Sequence, residues 1–124
     1  MDPHESTLRW AYRKYGKPIG SGLFRRVYLE SDEYVIKVPF NDWGEYCNDN
    51  EALESERDKT GYLARCSSFN HPRTGVILTR MERIVRFPKN FKSLPEWTLW
   101  VDCQQVGWTS DGRLVAYDWV YPPV

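Results

Sequence analysis

Four stretches of the chain show strand-like runs of apolar positions, and these set the expected elements. Residues 19–29, IGSGLFRRVYL, read as a strand, a glycine turn and a second strand. The polar turn Glu30-Ser31-Asp32-Glu33 leads into a strand, Tyr34-Val35-Ile36-Lys37-Val38, stopped by Pro39. GVILTRM, residues 75–81, follows a turn containing proline and glycine and reads as a buried strand. Within 105–119, the runs Val106–Thr109 and Arg113–Trp119 flank Ser110-Asp111-Gly112, and Asp-Gly between apolar runs signals a hairpin.

Helical patterns are fewer. Residues 5–15, ESTLRWAYRKY, suit a short helix capped by Ser6 or Thr7 and broken at Lys17-Pro18. Residues 45–64 have strong helix formers and few β-branched residues, with a weak apolar stripe. Such a helix suits the surface of a sheet whose other face is wet. LPEWTLW, residues 94–100, suits one or two helical turns. The expected class is α+β: an antiparallel sheet of about five strands with one main helix across one face, in a single domain spanning 1–124.

Composition narrows the functions available. Seventeen basic and seventeen acidic residues cancel, so no basic footprint for nucleic acid is visible at the level of the whole chain. The local series Arg80, Arg83, Arg86, Lys89, Lys92 offers a local positive strip or, the preferred reading, a solvated face. Three cysteines, Cys47, Cys66 and Cys103, lack metal-type spacing and an even count. Without a leader or a long apolar run, the expected location is a reducing cytoplasm, with no membrane contact. His4 and His71 are the only histidines, leaving little for a histidine-based metal site or triad, and both read as surface residues beside turns. Aromatic residues make up 15%, a high share that reads first as core filling and second as a contact surface.

Two segments carry candidate chemistry. Gly20-Ser21-Gly22-Leu23-Phe24-Arg25-Arg26-Val27 precedes a strand in which Lys37 stands among Val35, Ile36 and Val38. An ammonium among apolar neighbours requires a partner or a phosphate, unless the strand is an edge strand with Lys37 on its wet face, a reading of equal standing. At the other end, Asp118 closes the apolar strand Val115-Ala116-Tyr117. In order, these pieces resemble the protein-kinase fold: the first is similar to the glycine-rich loop G-x-G-x-x-G-x-V, and Val35-Ile36-Lys37 to the V-A-I-K strand. Strand 76–81 then leads to Glu82-Arg83 at the hinge position. Asp102-Cys103-Gln104-Gln105-Val106-Gly107 and Tyr117-Asp118-Trp119 resemble the catalytic-loop and D-F-G segments.

The resemblance implies a miniature, pseudokinase-like protein of a kind expected among small bacterial or phage proteins. It would comprise an N-lobe and the catalytic-loop/D-F-G hairpin without a full C-lobe. It implies ATP and Mg²⁺ as the possible cofactors. Gly20 and Gly22 would approach phosphate, Lys37 would clamp it, and Glu51 would hold Lys37, with Glu54 and Glu56 as competitors. Gln105 and Asp118 would hold the metal, and Asp102 would serve as base.

Departures from the pattern are as informative. Arg25 replaces the third glycine, Trp100 stands where the catalytic Asp is expected relative to Gln105, and Val120 replaces the D-F-G glycine. Six residues follow Asp118, so no activation segment is present in this sequence. The leading expectation is a non-catalytic module that binds and modulates a protein, a host protein if the chain is phage-encoded. Arg25, Arg26, Trp43, Trp97 and Trp100 are its candidate contact residues, and a homodimer is an option. The alternatives are a minimal ATP/Mg²⁺-dependent phosphotransferase and an unrelated small α+β interaction protein.

Overall fold

The computed structural model describes residues 2–118, apart from the side chain of Asp102. Trp119 and Val120, and with them the end of the D-F-G-like segment, lie outside the described residues.

Helix α1, Pro3–Tyr15, starts earlier than the pattern suggests because Asp2 is its cap, accepting from the backbone N–H groups of His4 and Glu5. Proline at the first helical position fits, since its missing N–H would have no helical partner. Thr7 is therefore not a cap; it is buried, and its hydroxyl donates to Pro3 O at 2.7 Å. Strands β1 (Gly20–Ser21), β2 (Arg25–Leu29) and β3 (Tyr34–Pro39) follow as antiparallel neighbours.

Helix α2 runs Asp42–Arg57, shorter at its end than the 45–64 expectation. Asn41 caps it through Gly44 N–H, and Asp42 and Glu45 complement the positive end of its dipole. The chain leaves the helix at Asp58 because that carboxylate collects the N–H groups of Thr60 and Leu63, a local turn that competes with further helix. Next come β4 (Cys66–Asn70), β5 (Ile77–Glu82) and β6 (Ile84–Arg86), then short 3-10 turns, then the hairpin β7 (Val106–Thr109) and β8 (Leu114–Ala116).

Five strands form one antiparallel sheet in the order β1-β2-β3-β5-β4, and β6-β7-β8 form a second, separate sheet. Strand β4, CSSFN, was hidden from the hydrophobic pattern because it is a polar edge strand. The C-terminal hairpin joins β6 rather than the main sheet, and Ala64 N–H and Tyr62 O bind Ala116 to hold it beside the end of α2.

Register assigns the two faces of the main sheet. Tyr28, Ile36 and Leu78 belong to the cluster packed against Ala11, Leu8 and Trp10 of α1. Val27, Lys37 and Thr79 are aligned across β2, β3 and β5 on the opposite face, toward α2. The expected wet face is thus covered by α1. On the α2 side, Val35 and Met81 pack with Ala64 and Val115, so the second sheet closes the same core.

Candidate functional site

Lys37 points from the middle of β3 toward α2, with only 5% of its surface exposed. Its Nζ lies 3.2 Å and 3.4 Å from the two carboxylate oxygens of Glu51 and donates to Tyr117 O at 2.8 Å. Glu51, not Glu54 or Glu56, is the helix carboxylate that meets Lys37, and it is fully buried. Asn48, one turn earlier on the same helical face, donates to Lys37 O and Ile77 O, pinning α2 across β3 and β5.

Arg25 departs from expectation. It was a candidate contact residue at a loop tip; instead it begins β2, on the α2 face, and is buried. Both terminal guanidinium nitrogens donate to Glu51, one at 3.1 Å; a further bond reaches Asn48 Oδ1 at 3.2 Å, and Nη2 donates to Asp118 Oδ1 at 3.3 Å. The driving reason is electrostatic: a buried carboxylate beside one ammonium gains a second, bidentate cation. Burial works against ionisation of Glu51, yet Lys37 and Arg25 together hold its carboxyl below the usual range. Burial pulls the Lys37 pKa down, with Glu51 opposing. Burial also acts against the Arg25 charge, but Glu51 and then Asp118 more than compensate, and its pKa rises.

Asp118 reaches this cluster through the second sheet. Tyr117 N–H donates to Gln105 O at 3.1 Å, which continues the β7–β8 ladder and puts Gln105 opposite Tyr117, next to Asp118 in sequence. Just before Gln105 the backbone of Cys103 and Gln104 is left-handed, at φ 51° and 45°. Non-glycine residues adopt that region at a cost of about 1–2 kcal/mol each. The side chain of Asp102, the candidate base, lies outside the described residues.

The glycines of the first hairpin are exposed on β1 and at the turn. A Cβ on Gly20 or Gly22 would meet nothing closer than 4.0 Å, and neither has a positive φ. Glycine is demanded elsewhere: a Cβ on Gly44 would fall 2.4 Å from Phe24 O and 2.6 Å from Pro39 Cβ. The first turn of α2 therefore abuts the hairpin backbone, and Phe24 O also accepts from Phe40 N–H.

The remaining surface candidates separate. Arg26 is half-buried, its guanidinium carbon 5.2 Å from the Phe40 ring centroid. Trp97 stacks on Tyr62 at 4.4 Å, nearly coplanar. Trp43 and Trp100 are exposed, Trp100 by 83%, with Leu99 beside it also exposed. Of the histidines expected at the surface, His71 is buried and His4 half-buried.

Among the described residues, His4, Asp42 and Glu45 bring three possible metal-ligand atoms within 4.8 Å of one another. Their observed contacts account for them as ties: His4 Nε2 meets Glu45 Oε2 at 2.7 Å, and the other Glu45 oxygen accepts from Ile77 N–H. Comparison with protein-family models and with curated proteins finds no match to this chain. No helix among the described residues is long and apolar enough to cross a membrane.

Proposed function

We propose that this chain is a non-catalytic binding module on a degenerate kinase-like frame, acting by contact with a cellular protein, a host protein if it is phage-encoded. The observation that carries this reading is the position of Arg25. Its guanidinium bridges Glu51 and Asp118, the carboxylate that the kinase resemblance would give to Mg²⁺. Two cations, Lys37 and Arg25, therefore face two carboxylates, Glu51 and Asp118. Lys37 is itself engaged by Glu51 and Tyr117 O. Among the described residues the two positive and two negative charges of the cluster balance, which disfavours a divalent ion, and Lys37 is already engaged where a triphosphate would need it.

The kinase-like frame is supported by a third-strand lysine paired with a glutamate on the following helix, an arrangement that kinases require. An Asp just after the last strand of a hairpin fits the same reading. Exposed Trp100 and Leu99, on the segment that replaces the catalytic-loop approach, support action by contact. The thiols of Cys47 and Cys66 form no disulfide among the described residues, which accords with a reducing cytoplasm.

The same Lys37–Glu51 pair is the observation that favours the second reading, a minimal ATP/Mg²⁺-dependent phosphotransferase. Thermal denaturation with millimolar ATP and Mg²⁺ separates the two. The binding-module reading expects no rise in Tm for the wild type and no transfer of the γ-phosphate. A rise of several degrees together with transfer that Asp118→Ala abolishes would establish the enzyme instead.

A further inference from the structure

On the α1 side of the sheet, away from the Lys37 cluster, a cavity of about 470 Å³ opens between α1 and the β4–β5 turn. That volume falls within the range of sites for small molecules, about 300–1,000 Å³. Ser6, Trp10, Arg13 and Lys14 contribute from α1, at intervals of three and four residues that put them on one helical face. His71, Arg73 and Thr74 contribute from the turn. No carboxylate lines the cavity, and none of its three cations forms an ion pair among the described residues. The negative end of the α1 dipole lies near Arg13 and Lys14, but about half a charge does not balance three.

The turn is built to hold its shape. His71 Nδ1 accepts from the N–H groups of both Arg73 and Thr74, each at 3.2 Å. Thr74 Oγ1 meets Thr7 Oγ1 at 2.7 Å, and since the Thr7 proton goes to Pro3 O, Thr74 is the donor. This ties the turn to the buried side of α1. With Nδ1 an acceptor, the neutral ring carries its proton on Nε2. The ring is 5% exposed, lies edge-on to Trp10 at 4.6 Å and lines the cavity. Among the described residues no acceptor pairs with Nε2–H. Burial, then the charges of Arg73 and Lys14, lower the His71 pKa, which keeps the ring a neutral donor.

We propose that this cavity binds a phosphorylated small molecule, with Arg13, Lys14 and Arg73 around the phosphate, His71 Nε2–H as a neutral donor and Trp10 as the apolar wall. Guanidinium groups suit phosphate because their planar fork presents paired donors. The site is independent of the proposed contact function, since it lies on the other face of the sheet.

Inorganic pyrophosphate is the probe, titrated into the whole chain at low ionic strength and followed by nitrogen-proton NMR of the His71 ring and the Trp10 indole. Both resonances should move saturably, with a Kd below about 1 mM, and weaken with added sodium chloride as counterions compete. Arg73→Gln and Lys14→Gln lie on exposed positions and leave the fold intact; each should weaken binding at least about tenfold at unchanged Tm. Absence of a saturable shift up to about 10 mM would overturn the proposal. So would undiminished affinity in the two variants, or shifts confined to residues around Lys37. Tighter binding of a single-stranded oligonucleotide, lost in the same variants, would overturn the small-molecule assignment.

Discussion

Arg25 grips the carboxylate of Glu51 through both terminal guanidinium nitrogens, and it does so from the position where a glycine-rich loop would have its third glycine. That side chain also neutralises the carboxylates gathered there. Removing either partner therefore has unequal consequences. Glu51→Ala strands two buried cations and should cost about 3–5 kcal/mol in urea denaturation. Arg25→Met leaves Glu51 paired with Lys37 and should cost less. Equal losses for the two variants would show that the pairing does not organise the cluster.

The same cluster sets a pH dependence. The Glu51 carboxyl is held below its ordinary value of 4.5, because Lys37 and Arg25 outweigh the burial that opposes ionisation. A depressed folded pKa contributes stability that is complete above the unfolded pKa and lost as pH falls through the folded one. Denaturation midpoints should therefore fall as pH drops below about 5, and Glu51→Gln should flatten that acid limb. An acid limb unchanged in the variant would assign the dependence to other carboxylates.

Two glycines invert the expectation from the motif. Gly22→Ala meets nothing closer than Arg25 O at 4.0 Å and should leave Tm nearly unchanged. Gly44→Ala gains about 1 kcal/mol of helix propensity but drives a Cβ to 2.4 Å from Phe24 O. A net loss of about 2 kcal/mol or more is expected, read by the same denaturation.

Cysteine reactivity should follow burial. Desolvation pushes the Cys66 thiol up to about 12 and raises Cys47 as well, while Cys103 is exposed. Alkylation at mild pH, followed by mass spectrometry, should modify Cys103 first and reach the other two only with unfolding. Early labelling of Cys66 would mean that β4 opens readily at the sheet edge.

Tyr28 is fully buried, and its hydroxyl has no hydrogen-bond partner among the described residues. Tyr28→Phe removes a desolvated polar group without changing the ring that packs in the α1 core. The variant should be neutral or more stable by up to about 1 kcal/mol; a loss larger than that would reveal a bound water completing the hydroxyl.

Much of the architecture was legible in the chain because local chemistry specified it. Apolar runs marked β2, β3 and β5, and Asp111-Gly112 marked the last hairpin. Lys37 among Val and Ile called for a partner or a phosphate, and the kinase resemblance put Glu51 ahead of Glu54 and Glu56 as that partner. Strand β4 gave no such signal, since a polar edge strand has no dry face to write into its sequence. The wet face expected of the sheet was covered by α1, whose first turn is set by a cap at Asp2 that lies outside its apolar pattern. Arg25 is the clearest divide. The sequence determined that a guanidinium stands at residue 25, and read locally that put a charge on a loop tip. Only the tertiary structure decided that it turns inward, because Glu51 lies 26 residues away and Asp118 lies 93, and no local pattern encodes the field they create together.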